Sequence, residues 1–264
     1  EISLNADVIR TSKFQWTSDF NIGFNRNRVT ELYGGKPELK GLKRLEEGRD
    51  MDEWYLREWA GVDPANGSPL WYTTDENGKR TTTDSYNKAD RVYCGSAAPK
   101  FTGGWMNSFS YKGFTLTANF DFVYGNLLYN QSRELLDSDG AYADYNSMKL
   151  KSGWKRWEKE GDIATHPKAI NGGNKNSNKS SSRYLEKGNY FSLRNLSLGY
   201  SIPEKLCGKL GLQQVNVSCS ADNLFTLTPF SGVSPQLSDS STDGYAGTIY
   251  PLSRRIVFGL NVSF

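Results

Sequence analysis

The sequence predicts an all-β fold: about nine antiparallel strands with two unlike faces, forming an arc of a large transmembrane β-barrel. Three observations carry this. Residues alternate with a period of two in several long segments, which gives a strand one apolar and one polar face. Connectors alternate between short and long along the chain. Aromatic residues are abundant at 13%, yet the mean hydropathy is −0.63. No apolar run approaches the ~20 residues that a spanning helix needs. A barrel wall tolerates low mean hydropathy because every second residue faces a wet lumen.

Taken in order, Glu1 to Ile9 places Ile2, Leu4, Ala6 and Val8 on one face. After Arg10–Lys13, Phe14, Trp16, Phe20, Ile22 and Phe24 alternate with polar residues. A charged stretch over 26–52 leads to two weaker strands, about Glu53 to Ala60 and Pro69 to Thr74, on either side of an Asp-Pro and Asn-Gly turn at 61–67. Phe101, Gly103, Trp105, Phe109 and Tyr111 share the face of the next strand, and Lys112-Gly113 turns the chain tightly. Phe114, Leu116, Ala118, Phe120, Phe122 and Tyr124 then oppose Thr115, Thr117, Asn119 and Asp121.

The connection 126–187 is the longest. It holds a helix-compatible piece at Ser152 to Glu160 and an Asn/Gly/Lys/Ser-rich run over 171–182, expected to be mobile. Strand pattern resumes at Gly188, but Phe191 and Leu193 are odd-numbered while Leu196, Leu198 and Tyr200 are even. This phase change predicts a bulge near Arg194-Asn195, or a strand that leaves the membrane there. A turn over 203–212, a strand from Val215 to Phe225 and a loop over 226–251 precede the closing strand, Ser253 to Phe264.

The short connectors fall near Ile9, Gly61, Lys112 and Pro203, and the long ones follow Asn25, Thr74, Gly125 and Phe225. That is the layout of short periplasmic turns and long extracellular loops. A soluble β-sandwich carbohydrate-binding module is the alternative from a different class. An open set of strands leaves unpaired edges, which lipid does not tolerate. The chain is therefore expected to be one arc, with further strands upstream of Glu1 or in a partner chain.

Composition narrows the function. A net charge of +3 with scattered Lys and Arg does not suit nucleic acid. Cys94, Cys207 and Cys219 have no metal-ligand or disulfide spacing, and no cofactor or metal motif is present. Neither is a catalytic constellation. His166 is expected to be an ordinary solvated loop residue, and Asp137 with Asp139, or Glu158 with Glu160, solvating pairs.

The motifs Phe14-Gln15-Trp16-Thr17-Ser18, Gly61-Val62-Asp63-Pro64, Pro99-Lys100-Phe101-Thr102-Gly103-Gly104, Arg183-Tyr184-Leu185-Glu186-Lys187-Gly188-Asn189-Tyr190, Asp222-Asn223-Leu224-Phe225 and Tyr250-Pro251 to Phe264 stand in order along the chain. In these it resembles the C-terminal part of SusC/RagA-type TonB-dependent outer-membrane transporters of Bacteroidetes. Ser234 departs from the family's usual Asp before Pro235.

The resemblance implies a 22-stranded barrel in the outer membrane, with residues 1–264 as its C-terminal portion. The N-terminal plug, the TonB box and the earlier strands lie outside this sequence. It also implies a SusD/RagB-like surface lipoprotein as lid, coupling to the TonB complex through the N-terminal part, and a glycan as cargo, with oligopeptides as the alternative. The final strand, with Phe258, Leu260, Val262 and Phe264, becomes the closing strand and assembly signal.

Polar residues opposite the apolar face, Asp19, Asn21, Asn25, Asn119, Asp121, Asn216, Ser218 and Asp222, are candidates for lining the substrate path. They equally suit hydration of the lumen or contact with a plug. Tyr142, Tyr145, Trp154, Arg156 and Trp157 are candidates for recognising the lipoprotein or ligand, or for stapling their own loop. Phe114, Phe120, Phe122 and Tyr124 are assigned to lipid contact and interface girdles.

Overall fold

A computed structural model describes residues 1–145, 149–236, 244–247 and 250–264. One antiparallel sheet of seven long strands dominates: β1 (Ile2–Arg10), β2 (Phe14–Gly23), β3 (Phe101–Tyr111), β4 (Phe114–Tyr124), β5 (Tyr190–Ser201), β6 (Gln214–Leu227) and β7 (Arg255–Ser263). Each strand pairs with the next in sequence, so the sheet is a simple up-and-down meander. The strands run from 9 to 14 residues, the length a tilted strand needs to cross a hydrocarbon layer.

The two weaker strands expected within 53–74 are not in this sheet. Glu53–Arg57, Trp59–Val62 and Pro69–Thr74 are only 5, 4 and 6 residues long. They pair instead with Arg91–Ser96 and Arg80–Thr83 in two small sheets inside the 24–100 connection. Trp54 and Trp71 are each 0% exposed, buried against loop residues. Among the described residues the wall therefore has seven strands rather than about nine. The alternation survives this change: turns at 11–13, 112–113 and 202–213 close one end, and connections 24–100, 125–189 and 228–254 all leave from the other.

Directly paired residues share a sheet face, so register shows what lies on each side. One face carries Phe20, Trp105, Phe120, Phe122 and Phe191, stacked across the sheet with ring centroids 5.2 to 5.9 Å apart, Phe20 meeting Phe122 over β3. Leu198, Val217, Phe258 and Leu260 on the same face are exposed. The expected bulge is present: pairing of β5 shifts register between Leu193 and Asn195. A second bulge, between Asp7 and Ile9, brings Ile9 rather than Val8 opposite Trp16. Phe264, just beyond β7, is exposed.

The main buried core lies in the loops. Trp54, Leu56, Ala97, Tyr129 and Tyr184 form one cluster, with Leu42, Leu127, Leu185 and Tyr245 packed against it. Cys94 borders this core, and burial pushes its thiol up to about 11. Segment 152–160 contains no helix; Arg156 instead bridges to His166 in extended form. The 171–182 run, expected to be mobile, is a packed series of turns in which Asn174, Ser177 and Ser181 are buried.

Candidate functional site: the polar wall and the loop domain

The polar face of the sheet holds a row of paired residues that crosses all seven strands. It runs Asn5, Asp19, Met106, Asn119, Asn195, Asp222, Arg255. Asn5 donates its amide to Asp19. Asn195 Nδ2 donates to Asp222 Oδ1 at 2.7 Å, and Arg255 donates to Asp222 Oδ2 through Nε at 2.9 Å and Nη2 at 2.7 Å.

One row further along, Asn21 pairs with Gly104 and Gly104 with Asp121. Asn21 Oδ1 accepts from the Gly104 amide at 3.1 Å, and the Tyr190 hydroxyl donates to Asp121 at 3.1 Å. Arg194, at the bulge, brings Nε within 3.7 Å of Asp121. Asn216 lies near the short-turn end, opposite Ser201 and Asn261, with Ser218 two residues further along β6.

Of the wall residues singled out from sequence, Asp19, Asn119 and Asp222 share the belt, while Asn21, Asp121 and Asn216 do not. Sequence reasoning missed Asn5, Asn195 and Arg255. Alternation alone could have found Asn5. Asn195 and Arg255 become visible only once the bulge and the β6–β7 register are known.

The loop domain is organised by buried charge. Asp137 and Asp139 are each 2% exposed. Asp139 receives Arg183 Nη1 at 2.5 Å, Arg156 Nη1 at 2.6 Å and the Ser177 hydroxyl at 2.7 Å. Asp137 receives His166 Nε2 at 2.7 Å and Arg133 Nη2 at 3.1 Å. Arg133 also reaches Glu186 at 3.0 Å.

Burial by itself would raise the Asp137 pKa; the His166 hydrogen bond, then Arg183 and Arg133, overcome it and hold the group at about 2. These acids are therefore not a solvated pair, and His166, only 1% exposed, is not a solvated loop residue. Charges this deep persist only when paired with opposite charge.

The loop aromatics divide into two groups. Trp157 is buried and donates Nε1 to the Pro64 carbonyl at 2.9 Å. Arg156 is committed to Asp139, and Trp154 packs its ring 4.9 Å from His166 and 4.4 Å from the Arg133 guanidinium. These three staple the domain. Tyr142 and Tyr145 remain exposed, with ring centroids 5.3 Å apart.

No family model matches the chain. Over its whole length, however, it is similar to TonB-dependent receptors P3 and P39 of Formosa agariphila, each 28% identical and matched over 28% and 30% of their lengths. It is also similar to TonB-dependent receptor SusC of Bacteroides thetaiotaomicron, at 22% identity over 26% of that protein. Among solved structures, the RagAB peptide transporter superposes with a TM-score of 0.83 at 26% identity, covering 99% of this chain and 28% of that one. The chain thus spans less than a third of the relatives it matches.

Proposed function

We propose that this chain, which is part of the β-barrel of an outer-membrane TonB-dependent receptor of the SusC/RagA type, serves as the C-terminal wall and loop domain of an active importer. The exposed apolar face of the seven strands meets lipid, and the polar face lines the route of the cargo. The large connections on one side face the medium, where a SusD/RagB-like surface lipoprotein docks as lid. Energy enters from the TonB complex through a plug-bearing N-terminal part of the whole protein.

The observation that supports this best is the belt from Asn5 to Arg255, six polar residues and Met106 on the face opposite the stacked aromatics. Amides and carboxylates in such a row suit hydroxyl-rich cargo, so glycan fragments are the first reading. The likeness to a solved peptide transporter favours a second reading, import of oligopeptides by the same route. TonB-dependent uptake of labelled neutral oligosaccharides and of labelled peptides, in cells with and without the full-length receptor, separates the two. Uptake unaffected by deletion of the receptor rules out both.

A further inference from the structure

A cleft of about 540 Å³ opens where β2, β3 and β4 pass into the loop domain, lined among others by Phe24, Arg26, Asp50, Pro99, Lys100 and Leu127. Arg26 and Lys100 are exposed, and among the described residues no carboxylate forms an ion pair with either. Asp50 is the sole acid of the lining, and both its oxygens are engaged by the scaffold. Oδ2 accepts from the Ser96 hydroxyl at 2.8 Å, and Oδ1 from the Asp52 amide at 2.8 Å.

The cleft thus brings an arginine and a lysine together beside Pro99 and Leu127. Its lining carries one net positive charge. That balance matches a monoanion. Guanidinium and ammonium donors bind carboxylates by charge-assisted hydrogen bonds.

We propose that this cleft is a cargo subsite for a single carboxylate on an otherwise uncharged oligomer. The inference rests on the import reading and narrows its cargo. The carboxylate can come from a peptide C-terminus or from a uronic acid unit, and the test tells these apart.

Binding to the full-length receptor in detergent is measured by calorimetry with two pairs of probes. One pair is a peptide with neutral side chains, as free acid and as C-terminal amide. The other is an oligogalacturonide bearing one free acid and the same chain fully methyl-esterified. The double variant R26Q/K100Q, checked for folding by heat-modifiable migration, is expected to lose about tenfold or more in affinity for the acid of one pair and nothing for its neutral partner. The pair that responds identifies the source.

Equal binding of acid and neutral forms by the wild type, no binding of either pair, or undiminished acid binding by the double variant overturns the subsite. TonB-dependent uptake by wild-type cells is followed in parallel. Uptake indifferent to the carboxylate overturns the subsite alone, whereas no TonB-dependent uptake of any cargo overturns the import reading.

Discussion

His166 Nε2 lies 2.7 Å from Asp137 Oδ2, in a position where the two residues are 1% and 2% exposed. A carboxylate only accepts, so the proton of this hydrogen bond sits on Nε2. The same carboxylate faces Arg133 and Arg183. Asp137→Asn therefore leaves two buried guanidinium groups short of charge, a loss of about 3–5 kcal/mol for a broken buried pair. The barrel strands make none of these contacts. Limited proteolysis of the variant is expected to cut within 131–185 while the heat-modifiable barrel persists; an uncut loop would contradict the account.

Acid should act on the same domain. A carboxyl group whose folded pKa is depressed contributes stability that is complete above its unfolded value and disappears as pH falls through the folded one. For Asp137 the shift is from 3.8 to about 2. For Asp162 it is also from 3.8 to about 2, caused first by the Lys155 ammonium 2.6 Å away and then by the Glu158 and Lys159 amides. Loop docking is thus expected to be insensitive between pH 7 and 5 and to weaken from pH 4 to 2. Pepsin digestion at pH 4 and pH 2 reads this directly, with new cuts in 126–189 only at the lower value.

Legibility in the sequence followed strand length and burial. The seven wall strands were readable because each repeats the two-residue period over 9 residues or more, and the odd-to-even switch around Arg194 revealed its bulge. Trp54 and Trp71 misled: alternation in 5- and 6-residue segments resembles a wall strand, though both rings pack into the loop core. Polar loops are usually solvated, and nothing local to His166, Asp137 and Asp139 marks a buried ion cluster. Its arginines lie 23 and 27 residues apart, at 133, 156 and 183, and only the folded loop brings them together.

Gly67 has φ +74°, and a Cβ there would lie 2.5 Å from the Trp157 ring. Gly67→Ala is both strained and too large for its site, at a cost of about 1–3 kcal/mol. It should undock the 155–168 segment from the 63–68 turn. Increased quenching of tryptophan fluorescence by acrylamide, with intact barrel migration, is the expected result.

In the wall, a Cβ on Gly103 would lie 2.3 Å from the Asn21 carbonyl oxygen and 2.5 Å from Phe122 Cζ. The glycine leaves the space through which Phe122 reaches Phe20, their ring centroids 5.9 Å apart. Gly103→Leu must displace that ring or spread β2 from β3. It is expected to lower the temperature at which the barrel loses its folded migration, whereas Thr102→Val, one residue away and exposed, should leave it unchanged.

Tyr142 and Tyr145 offer the clearest test of lid association, because the structural work of their loop is done elsewhere. Both rings are exposed, and the buried contacts beneath them belong to Asp139, Arg156 and Arg183. Large aromatics in such positions are common anchors of interfaces, often contributing about 2 kcal/mol or more each. Y142A/Y145A should therefore reduce the affinity of the full-length receptor for the proposed surface lipoprotein about thirtyfold or more, with no new protease cuts in the loop. Trp157→Ala serves as the contrast, since any effect it has on association must come with loosened docking and new cuts. Undiminished co-purification of the lipoprotein with Y142A/Y145A would remove these tyrosines from the interface.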